Sequence, residues 1–232
     1  MPEHYITAGG KRLRCGRTTG TCAAMAAAGA VRLLLTGRAP DLISLNTPRD
    51  WMVEAPLLDC VADGETAACS VEKDGGDDVD ATHGLPIRAT VGRGAEGGTA
   101  ILGGLGVGRV TRPGLDQPVG EAAINSVPRR MIARAAEEEA AALGYAGGLE
   151  ITISVPGGEE AARRTFNPQL GVEGGISILG TSGIVEPMSA QALVETIALE
   201  LRQTAAEADF VVVGVHWGVE NSHAIADPQR TL

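Results

Sequence analysis

Aromatic side chains are scarce in this sequence: two Trp, two Tyr and two Phe make up 3% of its 232 residues. A core filled with large rings is excluded, so Ala, Val, Ile and Leu must build it. Lysine is nearly missing as well, because seventeen of the nineteen basic residues are Arg. What remains is a set of planar guanidinium forks suited to carboxylates. No run of eighteen apolar residues occurs, and no membrane span is expected. The apolar stretch from Cys22 to Leu35 follows four basic residues in the manner of a signal peptide. Arg32 interrupts it, however, and Thr18-Thr19-Gly20-Thr21 in front reads as a helix start. Cys15, Cys22, Cys60 and Cys69 include no C-x-x-C pair, and the four histidines complete no zinc pattern. Reduced, buried thiols in a cytoplasmic protein are the expectation. With a net charge of −10, the chain lacks the basic surface that non-specific nucleic-acid binding needs.

Glycine is the residue in excess. Its 32 copies are about 14% of the chain, roughly twice ordinary usage, without the Gly-X-Y period of collagen. Hydrophobic content of 44% against 21% charge excludes a disordered chain. The charge is unevenly placed. Residues 1–40 hold six basic side chains and one acid, Glu3, whereas residues 49–80 hold ten acids against Arg49 and Lys73.

Along the chain, an Ala-rich helix is predicted from Thr21 to Thr36, closed by Gly37. Strand-like runs follow at Leu42–Asn46, Met52–Leu58, Thr66–Glu72, Ile87–Val91, Thr99–Leu102 and Arg109–Thr111. A second helix is predicted from Pro128 to Leu143, with Asn125 or Ser126 as cap and Gly144 as stop. Leu149–Val155 alternates like a strand, Ile176–Leu179 is a short buried run, and Ser189 caps a third helix ending near Ala208. A last apolar strand covers Phe210–Val215. Strands cluster ahead of the long helices instead of alternating with them. The expected fold class is therefore α+β, a layered sheet with packed helices and not a doubly wound, Rossmann-type sheet.

Several segments carry residues suited to chemistry. Gly92-Arg93-Gly94-Ala95-Glu96-Gly97 is a literal G-x-G-x-x-G, but β-forming residues follow it where a dinucleotide site needs a helix. A hairpin turn is predicted there. The Thr-rich helix start behind Lys11, Arg12, Arg14 and Arg17 has the makings of an anion site; ordinary capping is the alternative. Between Lys73 and Gly84, four aspartates and a histidine fall within ten residues, without EF-hand spacing. Such a loop either is merely solvated or orients substrate and moves a proton. Two glycine-rich runs, Gly103–Gly108 and Gly174–Gly183, are either tight turns or loops that let a bulky ligand approach the backbone.

Taken in order, five blocks resemble the CbiD-type cobalt-precorrin-5B C1-methyltransferases of the anaerobic cobalamin pathway. The first is Thr18-Thr19-Gly20-Thr21-Cys22-Ala23-Ala24, and the second is the Lys73–Gly84 loop. The third is Gly106-Val107-Gly108-Arg109-Val110-Thr111 with Pro113-Gly114-Leu115, and the fourth runs from Ala123-Ile124-Asn125 to Pro128-Arg129. The fifth runs from Pro156-Gly157-Gly158 through Thr165-Phe166-Asn167-Pro168 and Gly174-Gly175-Ile176-Ser177-Ile178-Leu179-Gly180-Thr181 to Met188-Ser189. The likeness covers residues 14–205.

The resemblance implies an α+β fold and methyl transfer from S-adenosylmethionine to C1 of a cobalt-bound tetrapyrrole, linked to loss of a two-carbon fragment. It implies cobalt as part of the substrate and no metal site. On the matched positions, Asp77, Asp78 and His83 are the expected catalytic groups. Thr18, Thr19, Gly20, Thr21, Asn125, Arg129, Thr165 and Asn167 are expected to contact the substrate, with Arg130, Arg163 and Arg164 as further cations. Asp74, Gly106, Gly108, Gly174, Gly175, Gly180 and Thr181 are expected to contact the methyl donor. The basic helix start would then meet substrate carboxylates and the acidic loop the donor sulfonium. The expected partner is a small cobalt-tetrapyrrole, not nucleic acid or membrane, and a homo-oligomer is compatible with it.

Residues 1–207 form the methyltransferase-like region on this reading, lacking the later glycine-rich segments of the family, and 208–232 form a divergent tail. The tail's His216-Trp217-Gly218 resembles a segment of CapA-type polyglutamate and capsule proteins, which makes His216 a candidate metal ligand. Two other functions therefore stay open: a tetrapyrrole-binding chain without catalysis, and a metal-dependent hydrolase led by the tail.

Overall fold

The computed structural model describes residues 3–8, 10–95 and 97–189, together with Val194, Ile197, Ala198, Leu201, Arg202, Thr204 and Ala205. The chain opens with strands β1 (Tyr5–Ala8), β2 (Lys11–Arg14) and β3 (Gly16–Arg17) and the helix α1 (Thr19–Thr36). Six strands follow: β4 (Leu42–Asn46), β5 (Met52–Pro56), β6 (Leu58–Ala62), β7 (Thr66–Glu72), β8 (Pro86–Gly94) and β9 (Thr99–Gly103). Then come β10 (Arg109–Val110), α2 (Ser126–Ala142), β11 (Gly148–Ser154), the short α3 (Gly158–Ala162), β12 (Val172–Glu173) and β13 (Ile184–Val185).

The first long helix forms because half of its eighteen residues are the strong helix formers Ala and Leu, set between two well-made caps. Thr18 sits at φ −71°, ψ 161° and its Oγ1 accepts the Thr21 N–H, while Gly37 at φ 73° donates its N–H to Leu33 O. By length and composition α1 would also cross a membrane, but 78% of it is buried inside the protein. It is a core helix. Small residues let it lie close: a Cβ on Gly29 would stand 2.4 Å from Leu57 Cδ1, and one on Gly20 2.9 Å from Pro128 Cγ. For α2, Asn125 does occupy the cap position, but its side chain makes no capping bond. Asp116 substitutes for it, accepting both the N–H and the hydroxyl of Ser126.

Both long helices pack on a five-stranded sheet of order β6-β7-β8-β11-β9. The core-facing rows are Ala67, Cys69 and Val71 of β7, Ile87, Ala89 and Val91 of β8, and Leu149, Ile151 and Ile153 of β11. They meet Met25, Val31 and Ile132 from the helices, so the core is aliphatic as the composition requires. This layering of helices on a mixed sheet bears out the α+β class. One expectation is corrected. The glycine run after β8 is no hairpin turn, because β11 lies between β8 and β9, antiparallel to the first and parallel to the second. Backbone contact makes room for it: a Cβ on Gly148 would fall 1.8 Å from Ala95 O. Of the predicted third helix, the described residues from Val194 to Ala205 are helical. The predicted strand Phe210–Val215 and His216 lie outside the described residues.

Candidate functional site

The acidic loop is held by cations from the segment just before α1. Arg14 grips Asp74 with two parallel bonds, Nη1 to Oδ2 at 2.6 Å and Nη2 to Oδ1 at 2.8 Å. Arg17 Nη1 stands 3.8 Å from the same carboxylate. The Arg14 fork holds the Asp74 carboxyl down to about 2. Lys73, only 2% exposed, points its ammonium at Asp80, whose other oxygen accepts the Thr82 N–H at 2.7 Å. Burial pushes the Asp80 pKa up, but the Lys73 charge and these hydrogen bonds outweigh it, and the net direction is down. Backbone contact completes the fit: Arg17 N–H donates to Asp74 O at 2.8 Å. A Cβ on Gly16 would stand 2.4 Å from the same oxygen.

A second structure adjoins this loop. Residues 174–185 run through the middle of four other segments and tie them together by backbone bonds. Val107 and Ile124 form parallel bridges to Ile176 and Ile178. Gly20 N–H donates to Leu179 O at 3.0 Å, and Asn125 N–H to Ile178 O at 3.0 Å. Thr21 Oγ1 donates to Gly183 O at 2.6 Å, and β13 pairs with β3. The glycines of this hub lie against one another. A Cβ on Gly106 (φ +72°) would fall 2.0 Å from Val155 O, and one on Gly175 2.3 Å from Gly106 O.

Each expected site residue now has a place. Thr18, Thr19, Gly20 and Thr21 are buried in the joint between α1 and the hub; the Thr19 hydroxyl faces Ser177 O and Leu179 O and accepts the Leu179 N–H at 2.9 Å. The capping alternative describes this helix start, and its hydroxyls serve the fold. Arg129 binds the carbonyls of Ile124 and Ile101, both at 2.9 Å. Thr165 Oγ1 donates to Ala162 O at 2.8 Å, and Asn167 spans to Gly175 O and Ser177 Oγ. Gly106, Gly108 and Gly175 are backbone crossings, and Gly180 (φ +127°) presses on Thr18. Gly174, at φ +78°, has open space where a Cβ would be, and Thr181 is exposed. Asn125 is half-buried and makes no side-chain hydrogen bond to a described residue.

Of the catalytic candidates, Asp77 Oδ2 accepts the Arg14 N–H at 2.7 Å and Asp78 Oδ1 the Met188 N–H at 3.4 Å. The exposed His83 accepts the Gly75 N–H at Nδ1, 3.0 Å away, so its neutral form carries the proton on Nε2. Part of the charge of the two segments is mutual: Arg14 and Arg17 both partner Asp74, while Asp77 and Asp78 stand in no ion pair among the described residues. Sequence reasoning missed Arg14 and Lys73 as the loop's counterions; the opposite charge of the two segments was the available signal.

The cavity behind the loop, between Arg14, Arg17, Glu54 and Asp74, measures about 80 Å³, a space on the scale of water. Any large ligand must therefore lie outside it. Leu105, Phe166, Leu179 and Met188 are exposed apolar side chains, each within or beside a residue of the hub or loop. Among the described residues, no three His, Cys, Asp or Glu side chains gather in a metal-holding group.

Known proteins resemble this chain in sequence and fold. The family model described as CbiD matches residues 6–187. The cobalt-precorrin-5B C(1)-methyltransferase of Ruminiclostridium cellulolyticum is 52% identical over 201 residues, 86% of this chain and 52% of that protein. The one from Geobacillus thermodenitrificans is 49% identical over 217 residues, 94% of this chain and 58% of that protein. The crystal structure of the cobalamin biosynthesis protein (cbiD) from Archaeoglobus fulgidus superposes with a TM-score of 0.62 at 32% identity, covering 85% of this chain and 63% of that one. The chain thus spans about half the length of the curated relatives it matches.

Proposed function

The chain belongs to the CbiD family, and on that premise we propose that it acts in the cytoplasm on a cobalt-bound tetrapyrrole, methylating C1 of cobalt-precorrin-5B with S-adenosylmethionine as donor. The observation that carries this reading is the extent of the family match, residues 6–187, which takes in both the loop and the whole hub. The donor supplies an electrophilic methyl on a sulfonium, whose positive charge disappears as the methyl moves. The chain's task is alignment, bringing donor and ring carbon to roughly 3–3.5 Å, since positioning lowers such a barrier most.

The surface at the hub suits these partners. A corrinoid precursor is a flat apolar ring fringed with carboxylates. Leu105, Phe166, Leu179 and Met188 offer exposed apolar contact. Arg164, exposed and without a side-chain bond to a described residue, offers an uncommitted cation, and the half-buried Asn125 an unused amide. Within the loop, the carboxylates in no ion pair are Asp77 and Asp78, which suit a sulfonium, and on the hub Gly174 leaves its backbone open and Thr181 is exposed. Asp74, Thr18, Thr19, Thr21 and Arg129 act one step back, as the frame that sets these groups. His83 is the candidate to carry a proton during fragment loss. A second reading is tetrapyrrole binding without transfer, which the exposed apolar side chains and Arg164 would support by themselves.

Incubation of the purified chain with cobalt-precorrin-5B and methyl-labelled S-adenosylmethionine tests both. Label in the corrinoid supports transfer; bound corrinoid without label supports the second reading; no binding sinks both. Asp77→Asn combined with Asp78→Asn should lower turnover at least about tenfold, at an unchanged thermal midpoint, if these carboxylates face the developing charge. Unaltered turnover would remove the loop from the chemistry.

A further inference from the structure

Away from the hub, two of the four cysteines meet across neighbouring strands. Cys60 in β6 and Cys69 in β7 are both free thiols, and their Sγ atoms are 2.7 Å apart. That separation is already close to the roughly 2.05 Å of a disulfide. Regular pairing does not produce it, since directly opposed residues keep their Cβ atoms about 4.5–5.5 Å apart, wider than the roughly 3.8 Å a disulfide prefers. A bulge does. Leu58 pairs with Ser70 and Val61 with Ala68, so Asp59 and Cys60 together face Cys69. Asp59 takes up the extra length at φ +48°, and an inserted residue of this kind re-aims its neighbour's side chain. Cys69 is fully buried in the core, and Cys60 is half-buried at its rim. Reagent therefore reaches Cys60 first. Neither thiol takes part in the loop or the hub.

We propose that Cys60 and Cys69 form an oxidisable dithiol site that reacts with low-molecular-weight disulfides of the glutathione type and closes into a reversible cross-strand bond. The Cys60 thiolate attacks one sulfur of the small disulfide. The sulfur–sulfur bond of the reagent breaks, one thiolate leaves and takes a proton from water, and a mixed disulfide remains on Cys60. Cys69 then loses its proton and attacks Cys60 Sγ, expelling the second small thiol. The protein gives up two protons and two electrons, and the small disulfide is reduced to two thiols. Burial, and then the contact with Cys60, pushes the Cys69 thiol up, so the closing step is faster at alkaline pH.

The test is to treat the purified protein with oxidised glutathione, quench with an alkylating reagent in denaturant, and measure intact mass and non-reducing peptide maps. Free thiols should fall from four to two, with the mass lower by two hydrogens, no glutathione retained, and Cys60 joined to Cys69. Dithiothreitol should restore all four. In Cys69→Ala the reaction should stop with one glutathione on Cys60. A wild-type chain that keeps glutathione on Cys60, leaves all four thiols unreacted, or bridges through Cys15 or Cys22 overturns the proposal. The wild-type result decides the matter even if Cys69→Ala does not fold.

Discussion

The acidic loop and the glycine hub meet at Arg17 and Thr18, yet they hold their shapes by opposite means. In the loop, a fork and a buried ammonium neutralise carboxylates that would otherwise repel one another. In the hub, uncharged backbones approach so closely that side chains are excluded. The first arrangement is strong only while its charges are present. The second is indifferent to charge but intolerant of a single methyl group. A binding surface framed by both has one wall set by electrostatics and another set by steric fit.

The difference can be broken most severely from the hub side. Gly106→Ala puts a Cβ 2.0 Å from Val155 O at a positive φ and should cost about 4 kcal/mol or more in urea denaturation. Gly174→Ala shares the positive φ but meets nothing within 4 Å, so it should lose only about 1 kcal/mol. Equal losses would show that backbone strain, not the crossing, makes the hub sensitive.

On the loop side, Asp80→Ala leaves the Lys73 ammonium buried without a counterion and should cost about 3 kcal/mol. Adding Lys73→Met should recover part of it. A double variant no better than the single would mean that packing, not charge, governs this wall.

Acid gives a smaller effect than either Gly106→Ala or Asp80→Ala, and one particular to the loop. The Asp74 carboxyl is held at about 2 in the folded chain and returns to about 3.9 when unfolded. Its contribution is complete above pH 4 and disappears as the pH falls through 2. With solvent screening it amounts to about 1–2 kcal/mol, or about 3–6 °C in thermal midpoint for a chain of this size. Arg14→Gln should remove that slope while the hub variants retain it. A slope unchanged in Arg14→Gln would place the acid sensitivity elsewhere.

Local patterns were readable in the sequence where period and caps agree. Leu42–Asn46 and Thr66–Glu72 are strands over the predicted residues, and α1 begins only two residues before the predicted Thr21. β6 was missed because its bulge destroys the alternation that marks a strand. Ile176–Leu179 reads as a short buried run, and its Ile176 and Ile178 form isolated bridges to two other segments, which the run ties together. The same divide applies to the site. The residue blocks are visible in one dimension, whereas the Arg14–Asp74 fork joins residues sixty positions apart. Composition shows that both charges exist and cannot show that they cancel. Nor can a run of glycines reveal whether its open side faces a ligand or another stretch of chain.

The position of β11 between β8 and β9 has a bearing on synthesis at the ribosome. Among the described residues β9 has no strand neighbour other than β11, and residues 104–147 must be made between them. During elongation the open edges of β8 and β9 therefore wait for a strand that has not yet left the exit tunnel. When β11 emerges it must enter a gap instead of adding to an edge, a late and non-local closure that favours slow folding. An unpaired strand held waiting is also where nascent chains most readily join one another. Crowded expression should thus hurt this protein through its order of emergence, before any weakness of the finished fold is tested.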